Sequence, residues 1–371
     1  MEKIKNAFIN INLFIWMVLF CILSIEVIFR IVSSISHTGI GYQLKDDYHV
    51  PKPYVMASAK PGALYGNQAH GILGYRDFPR VEKPQDEFRI IVLGGSTVHG
   101  GEVTLSENIE YLVHNKGFKN VKVYNAGVGS SVVRQDINRI LFDIAGYKPD
   151  LLIHYVGGND LLRGPDVRIN YPHRFVFYEG GIQKILSSRF DDLIFKILLG
   201  SEFARHFFHD YLIHKFSQES ALILPPIADR PKLRAESLAQ NLVLSQLLSA
   251  NIGAKYIAVF QPMLYYKKSI SKDEQVFLSD EEALFQLGLR EILFKSQNLK
   301  HINSLDCSDV FENVKATVYD DPIHLKEKFR VMPAKCIVDH LLKDPSYLST
   351  KNFSKLNFIP EEYFILGYPK R

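Results

Sequence analysis

Five short apolar runs recur along the chain, and each stops near a residue suited to a turn. They are Arg89–Leu93, Val121–Ala126, Leu151–Val156, Ala254–Phe260 and His301–Leu305, ending close to Gly, Asn, Pro or Asp. Runs of this length with such boundaries read as buried strands. Helical patterns occupy 134–146, 234–250 and 281–298 between them, and another covers 325–343 after the fifth run. This alternation predicts an α/β fold: a three-layer α/β/α arrangement around a parallel sheet of about five strands, covered on both faces. Ligands of such sheets bind beyond the carboxyl ends of the strands, so the polar residues just after each run are expected to converge.

Those residues are chemically suggestive. Ser96 follows the first run, Asn125 to Ser131 the second, and Gly157-Gly-Asn159-Asp160 the third, while Asp321-Pro-Ile-His324 precedes the final helical pattern. A serine hydroxyl is a weak nucleophile until a base takes its proton, and the base works best when a third group fixes its tautomer. Asp321 and His324, three residues apart and expected at the start of a helix, have the spacing for base and orienting carboxylate. A developing oxyanion needs fixed donors, which the Gly129-Ser130 backbone and the Asn159 amide can supply.

The four segments, in this order, resemble the motif blocks of the SGNH hydrolases, also called GDSL-type lipases or acylhydrolases. Gly94-Gly95-Ser96-Thr97 is similar to the nucleophile block, Asn125-Ala-Gly-Val-Gly-Ser130 to the second, Gly157-Gly-Asn159-Asp160 to the third, and Asp321-Pro-Ile-His324 to the last. The lead-in Gly74-Tyr-Arg-Asp77 with Phe88-Arg-Ile90 is similar to bacterial membrane-anchored members. The resemblance runs from about residue 70 to 343. It implies Ser96, Asp321 and His324 as a catalytic triad, and an oxyanion hole from the N–H groups of Ser96 and Ser130 with the Asn159 side chain. Gly127 and Gly129 remain alternative backbone donors. Two positions depart from the family pattern: Gly95 stands where the family has aspartate, and Ser130 where many members have glycine.

Composition narrows the function classes. The 371 residues are 47% hydrophobic, with 44 basic and 40 acidic residues and a net charge of +4. Without a dense Lys/Arg block, nucleic acid is a poor partner. The three cysteines, Cys21, Cys307 and Cys336, lack metal-site spacing, and the sequence leaves open whether Cys307 and Cys336 pair. No histidine shows His-Glu-x-x-His pairing, so His99 and His154 read as structural or exposed, and neither metal nor cofactor is expected.

An apolar stretch from Ala7 to Val32 follows Lys3 and Lys5, and Leu13–Ile25 is its cleanest part. It reads as an uncleaved membrane-spanning anchor with a cytoplasmic N-terminus, a cleaved signal peptide being the rival. The expected organisation is therefore an anchor at 1–35, a stalk and lead-in at 36–88, a hydrolase-like domain at 89–345 and a tail at 346–371. An aromatic-rich stretch at 163–232 reads as an inserted cap. The expected function is a serine esterase or acylhydrolase, single-pass and extracytoplasmic (periplasmic), acting on an acylated small molecule, glycan or lipid. By analogy, O-acetyl groups of envelope or exported polysaccharide are one candidate substrate class. The alternatives are an O-acyltransferase to a glycan using the same triad, and a non-catalytic glycan-binding or assembly protein on the same scaffold.

Overall fold

A computed structural model of the chain describes residues 2–36, 82–161, 200–208 and 230–348, with shorter pieces at 49–76 and 193–198. Most of the expected cap at 163–232 and of the tail at 346–371 lies outside the described residues, as does part of the lead-in. The chain divides into two compact units, one formed by Met1–Tyr48 and Arg174–Ile223, the other by His49–His173 and Leu224–Arg371.

The first unit contains α1, Glu2–Ser36. Its stretch Ile9–Val32 is long and apolar enough to cross a membrane, with mean hydropathy 2.4 and none of it buried.

In the second unit a short antiparallel hairpin, β1 (His49–Lys52) and β2 (Met56–Ala59), precedes the sheet strand β3 (Phe88–Gly94). Then follow α2 (Ser96–His99), α3 (Leu105–Asn115), β4 (Val121–Gly127), α4 (Val133–Arg139), β5 (Leu151–Val156) and α5 (Gly158–Leu161). The unit is completed by α7 (Arg230–Asn251), β6 (Lys255–Phe260), α8 (Asp280–Lys295), β7 (Ser304–Asp306) and α9 (Val331–Lys343). Between α5 and α7 in sequence, α6 (Glu202–Phe207) belongs to the first unit.

The sheet is parallel throughout, in the order β4-β3-β5-β6-β7. Alternation along β3 shows why three layers form. Ile90 and Val92 pack with Leu105, Ile109 and Val113 of α3 and Ala334, Ile337 and Leu341 of α9. Ile91 and Leu93 face the other way, into a core with Val133 and Ile137 of α4, Leu238 and Leu242 of α7, and Leu289 and Leu293 of α8. Successive strand side chains point to opposite faces, so a run that is apolar at every position must be covered on both. Register aligns the strand ends: Gly94 lies opposite Gly127 and Tyr155, and Val156 opposite Phe260. The residues after these positions therefore share one edge.

Three local expectations need correction. The helix expected at 134–146 is α-helical only to Arg139, then passes through a π-helical turn at Ile140–Ile144. The fifth strand is Ser304–Asp306, because Asn298–His301 forms a 3-10 turn. His324 does not open a helix: α9 begins at Val331, and His324 sits in a turn closed by the bridge between Tyr319 and Leu325.

Candidate active site

Ser96 begins α2 directly beyond β3. The Gly95 carbonyl accepts from the N–H groups of Val98 and His99 (both 3.1 Å), closing a tight strand-to-helix turn. Two guanidinium groups hold the loop that follows. Arg76 donates to the carbonyls of His99 (2.9 Å) and Gly101 (2.7 Å), and Arg330 donates to that of Gly100 (2.8 Å). The Thr97 hydroxyl donates to Oε1 of Gln261 (2.9 Å), a buried residue just past β6. The segment before β3 is thus tied into the Ser96 turn through Arg76, and its neighbour Tyr75 is fully buried with its hydroxyl on Asp143 (2.6 Å).

Asp321 and His324 arrive from the segment between Cys307 and Cys336, which form a disulfide. Glu274 and Lys267, both fully buried, pair with each other and anchor the middle of that segment. Glu274 accepts from the N–H groups of Val318 (2.7 Å) and Tyr319 (3.2 Å), and Lys267 donates to the Ala316 carbonyl (2.7 Å). Burial would raise the Glu274 pKa, but the Lys267 ammonium and the backbone donors outweigh it and pull the carboxyl down to about 2.

The result is a continuous chain of hydrogen bonds. Asp321 Oδ2 meets His324 Nδ1 at 2.5 Å, and His324 Nε2 meets Ser96 Oγ at 2.7 Å. Asp321 Oδ1 accepts from the N–H groups of Ile323 and His324, both at 2.8 Å. Partial burial works against the Asp321 carboxylate, yet the His324 ring and these two amides hold its pKa below the ordinary value. It therefore stays ionised at neutral pH and accepts from Nδ1, which leaves Nε2 free to take the serine proton.

The expected oxyanion donors lie on the same edge. Among the described residues no hydrogen bond occupies the Ser96 or Ser130 N–H. Ser130 has φ 63°, a left-handed conformation that costs a residue with a Cβ roughly 1 kcal/mol and that glycine adopts freely. The Gly127 N–H is engaged by Asn125 Oδ1 (2.9 Å) and does not serve as an alternative donor here. Asn159 donates one amide hydrogen to the Ser131 carbonyl (2.8 Å), and its second is left for another acceptor. Gly95 makes room for that amide, since a Cβ there would lie 2.2 Å from Asn159 Nδ2. The departure at Gly95 is thus matched by a close approach.

A buried polar network underlies the Ser130 loop. Asp136 accepts from the Ser131 hydroxyl (2.8 Å), pairs with Arg139, and meets Nε2 of His154 (2.8 Å). Arg139 also donates to the Ala126 carbonyl (2.8 Å). Burial drives the His154 pKa down to about 3, so this histidine is a neutral structural member. Asp160, whose pKa burial raises to about 6, accepts from the Val133 N–H (3.0 Å) and joins the Asn159 turn to α4. Among the described residues no group of three His, Cys, Asp or Glu side chains could hold a metal ion.

Arg330, Gln261 and Lys267 carry no sequence motif that singles them out, whereas Glu274 closes the capping box that Ser271 opens. Arg76 lies within the Gly74-Tyr-Arg-Asp77 lead-in.

No protein-family model and no curated protein matches the chain. Among solved structures it is similar to a protein of Parabacteroides merdae described as a GDSL-like lipase. That pair is 13% identical with TM-score 0.39, covering 70% of this chain and 98% of the other. A variant of an acetyl xylan esterase from Geobacillus stearothermophilus is 14% identical with TM-score 0.37, over 68% and 94%. The acetyl xylan esterase AlAXEase is also 14% identical, with TM-score 0.40, over 68% and 99%. Similarity of this degree says nothing about chemistry, which rests on the side chains described above.

Proposed function

We propose that this chain is an SGNH-type serine esterase that removes ester-linked acyl groups. The observation that carries the reading is the unbroken line from Asp321 through His324 to Ser96, with the Asn159 amide packed against Gly95. Ser96 Oγ attacks the ester carbonyl carbon while His324 Nε2 takes its proton. The oxyanion is held by the N–H groups of Ser96 and Ser130 and by the Asn159 amide. The bond to the alcohol oxygen then breaks, His324 returns the proton to that oxygen, and the acyl group remains on Ser96. Water, deprotonated by the same imidazole, attacks the acyl carbon and releases the acid with Ser96 reprotonated.

We assign O-acetyl groups of envelope or exported polysaccharide as the substrate, with the second unit outside the cytoplasm and α1 as its anchor. Lys3 and Lys5 before the apolar stretch support this orientation. The Cys307–Cys336 disulfide supports an oxidising compartment. If a sugar hydroxyl replaces water in the second half-reaction, the same groups perform acyl transfer.

A fluorophosphonate probe on the full chain tests the serine, since it reports an activated nucleophile whatever the substrate. Labelling is expected in the parent and absent in Ser96→Ala and His324→Ala. Unlabelled, folded parent protein would replace this reading with glycan binding. An acetyl-ester panel with and without an added oligosaccharide acceptor separates hydrolysis from transfer.

A further inference from the structure

The first unit holds a contact that neither a simple anchor nor a catalytic cap requires. Gly200–Phe208 is docked on the carboxyl-terminal third of α1. Glu26 Oε2 accepts from the Ser201 hydroxyl (2.7 Å) and the Phe203 N–H (3.1 Å), and Glu26 Oε1 accepts from Arg30 (2.7 Å). Arg30 reaches further, donating to the Gly200 carbonyl (2.9 Å). Ser201 Oγ in turn accepts from the Ala204 N–H (3.0 Å) and caps α6. Beside this polar knot Phe29 packs against Phe203 (5.3 Å between ring centres) and Phe207 (5.9 Å).

A carboxylate within an apolar span is costly unless it is paired. Glu26 lies seventeen residues beyond Ile9, the start of the apolar stretch, which at about 1.5 Å per residue is about 26 Å along the helix. Arg30 is one turn further. For a hydrocarbon core of about 30 Å, the knot falls at the far boundary, where headgroups begin. The segment fastened to it must sit at that depth. Its apolar surface agrees: Phe207 is 62% and Phe208 46% exposed, on a segment packed against Phe29 of a helix turn that also carries the exposed Ile28, Ile31 and Val32. A bare aromatic pair next to a bare apolar helix is unfavourable in water, and at a membrane boundary lipid covers both.

We propose that Gly200–Phe208 is a membrane-interface element, its phenylalanines among the lipid acyl chains near the headgroups and its backbone held by Glu26 and Arg30. This rests on the reading of α1 as a membrane anchor, and the test separates the two. The chain has one tryptophan, Trp16, within the apolar stretch. The full chain is reconstituted in phosphatidylcholine vesicles whose acyl chains are brominated either near the headgroup or near the bilayer centre. The parent reports α1 through Trp16, and a Trp16→Phe, Phe207→Trp variant reports α6, with Phe208→Trp in its place if the first fails to fold. Trp16 emission is expected to be lost with brominated lipid. The tryptophan of the second protein is expected to lose more emission to shallow bromine than to deep.

A quenched Trp16 with an unquenched residue 207 overturns the proposal and leaves the anchor standing. So does a blue-shifted, unquenched residue 207, which marks a protein partner or a second copy as the cover. An unquenched Trp16 removes the anchor and the proposal together. Adding Glu26→Gln is expected to lower quenching at residue 207 without changing it at Trp16. Unaltered quenching at residue 207 overturns the role of Glu26 as fastener.

Discussion

Replacing Gly95 with alanine isolates the most specific geometric claim about the site. The backbone there, at φ −87°, admits any residue, so the substitution acts through space and not through backbone strain. The new Cβ would stand 2.2 Å from Asn159 Nδ2, where ordinary contact begins at 3.4 Å, so the amide must retreat by about 1.2 Å. That retreat strains or breaks its 2.8 Å bond to the Ser131 carbonyl and moves the remaining N–H away from the oxyanion. Losing one such donor typically lowers turnover by on the order of 100-fold to 1,000-fold. The cost to folding is smaller, about 1 kcal/mol for one hydrogen bond.

Turnover of an acetyl ester, measured beside thermal melting, should show kcat falling by that factor and KM nearly unchanged, because the oxyanion forms only in the transition state. The decisive comparison is the double variant. If Gly95 acts through Asn159, Gly95→Ala added to Asn159→Ala should cost nothing further. A Gly95→Ala protein with near-parental turnover, or a double variant in which the two losses multiply, would refute the reasoning. Gly95→Asp, which restores the family residue, is expected to be at least as damaging.

Removing the disulfide by Cys307→Ser with Cys336→Ser should lower unfolding free energy by about 3 to 4 kcal/mol in urea titrations, the loop-closure value for a separation of 29 residues. Lys267→Met leaves the Glu274 carboxylate buried without its partner and should cost about 3 to 5 kcal/mol, measured the same way. The depressed Glu274 pKa gives a signed pH effect. Its stabilising contribution is complete above the unfolded value of 4.5 and is lost as pH falls through about 2. Stability should drop by about 1.4 kcal/mol per pH unit for this one proton. Glu274→Gln should remove that part of the slope.

Much of this was legible because it is local. Leu151–Val156 appears as a strand in the residues that show it as an apolar run, and the Asp321–His324 interval survives into a 2.5 Å contact. Helix Leu105–Asn115 is absent from the sequence expectation although its start is written locally: Thr104 and Glu107 form a capping box before Ile109 and Val113. The last helix starts later than its pattern at 325–343 predicts, at Val331, because helical periodicity resumes before the backbone does. Residues 319–325 are spent on the bridge that turns His324 toward Ser96. Arg330 and Gln261 have no local signal, since each matters through a partner more than 160 positions away. At Gly95 the sequence shows only a departure from the family pattern, because the residue that fills the space it leaves is sixty-four positions away.

The hydrogen bond proposed as the proton path, His324 to Ser96, joins residues 228 apart in sequence. No amino-terminal fragment that ends before His324 contains a base for Ser96, so the nascent chain carries an inert serine for most of its synthesis. The site closes only after β3, the Glu274 anchor and the turn before α9 have all found their places. On the proposed mechanism, turnover of a simple ester or labelling of Ser96 therefore reports molecules in which β3, the Glu274 anchor and the turn before α9 have come together, in a single chemical signal.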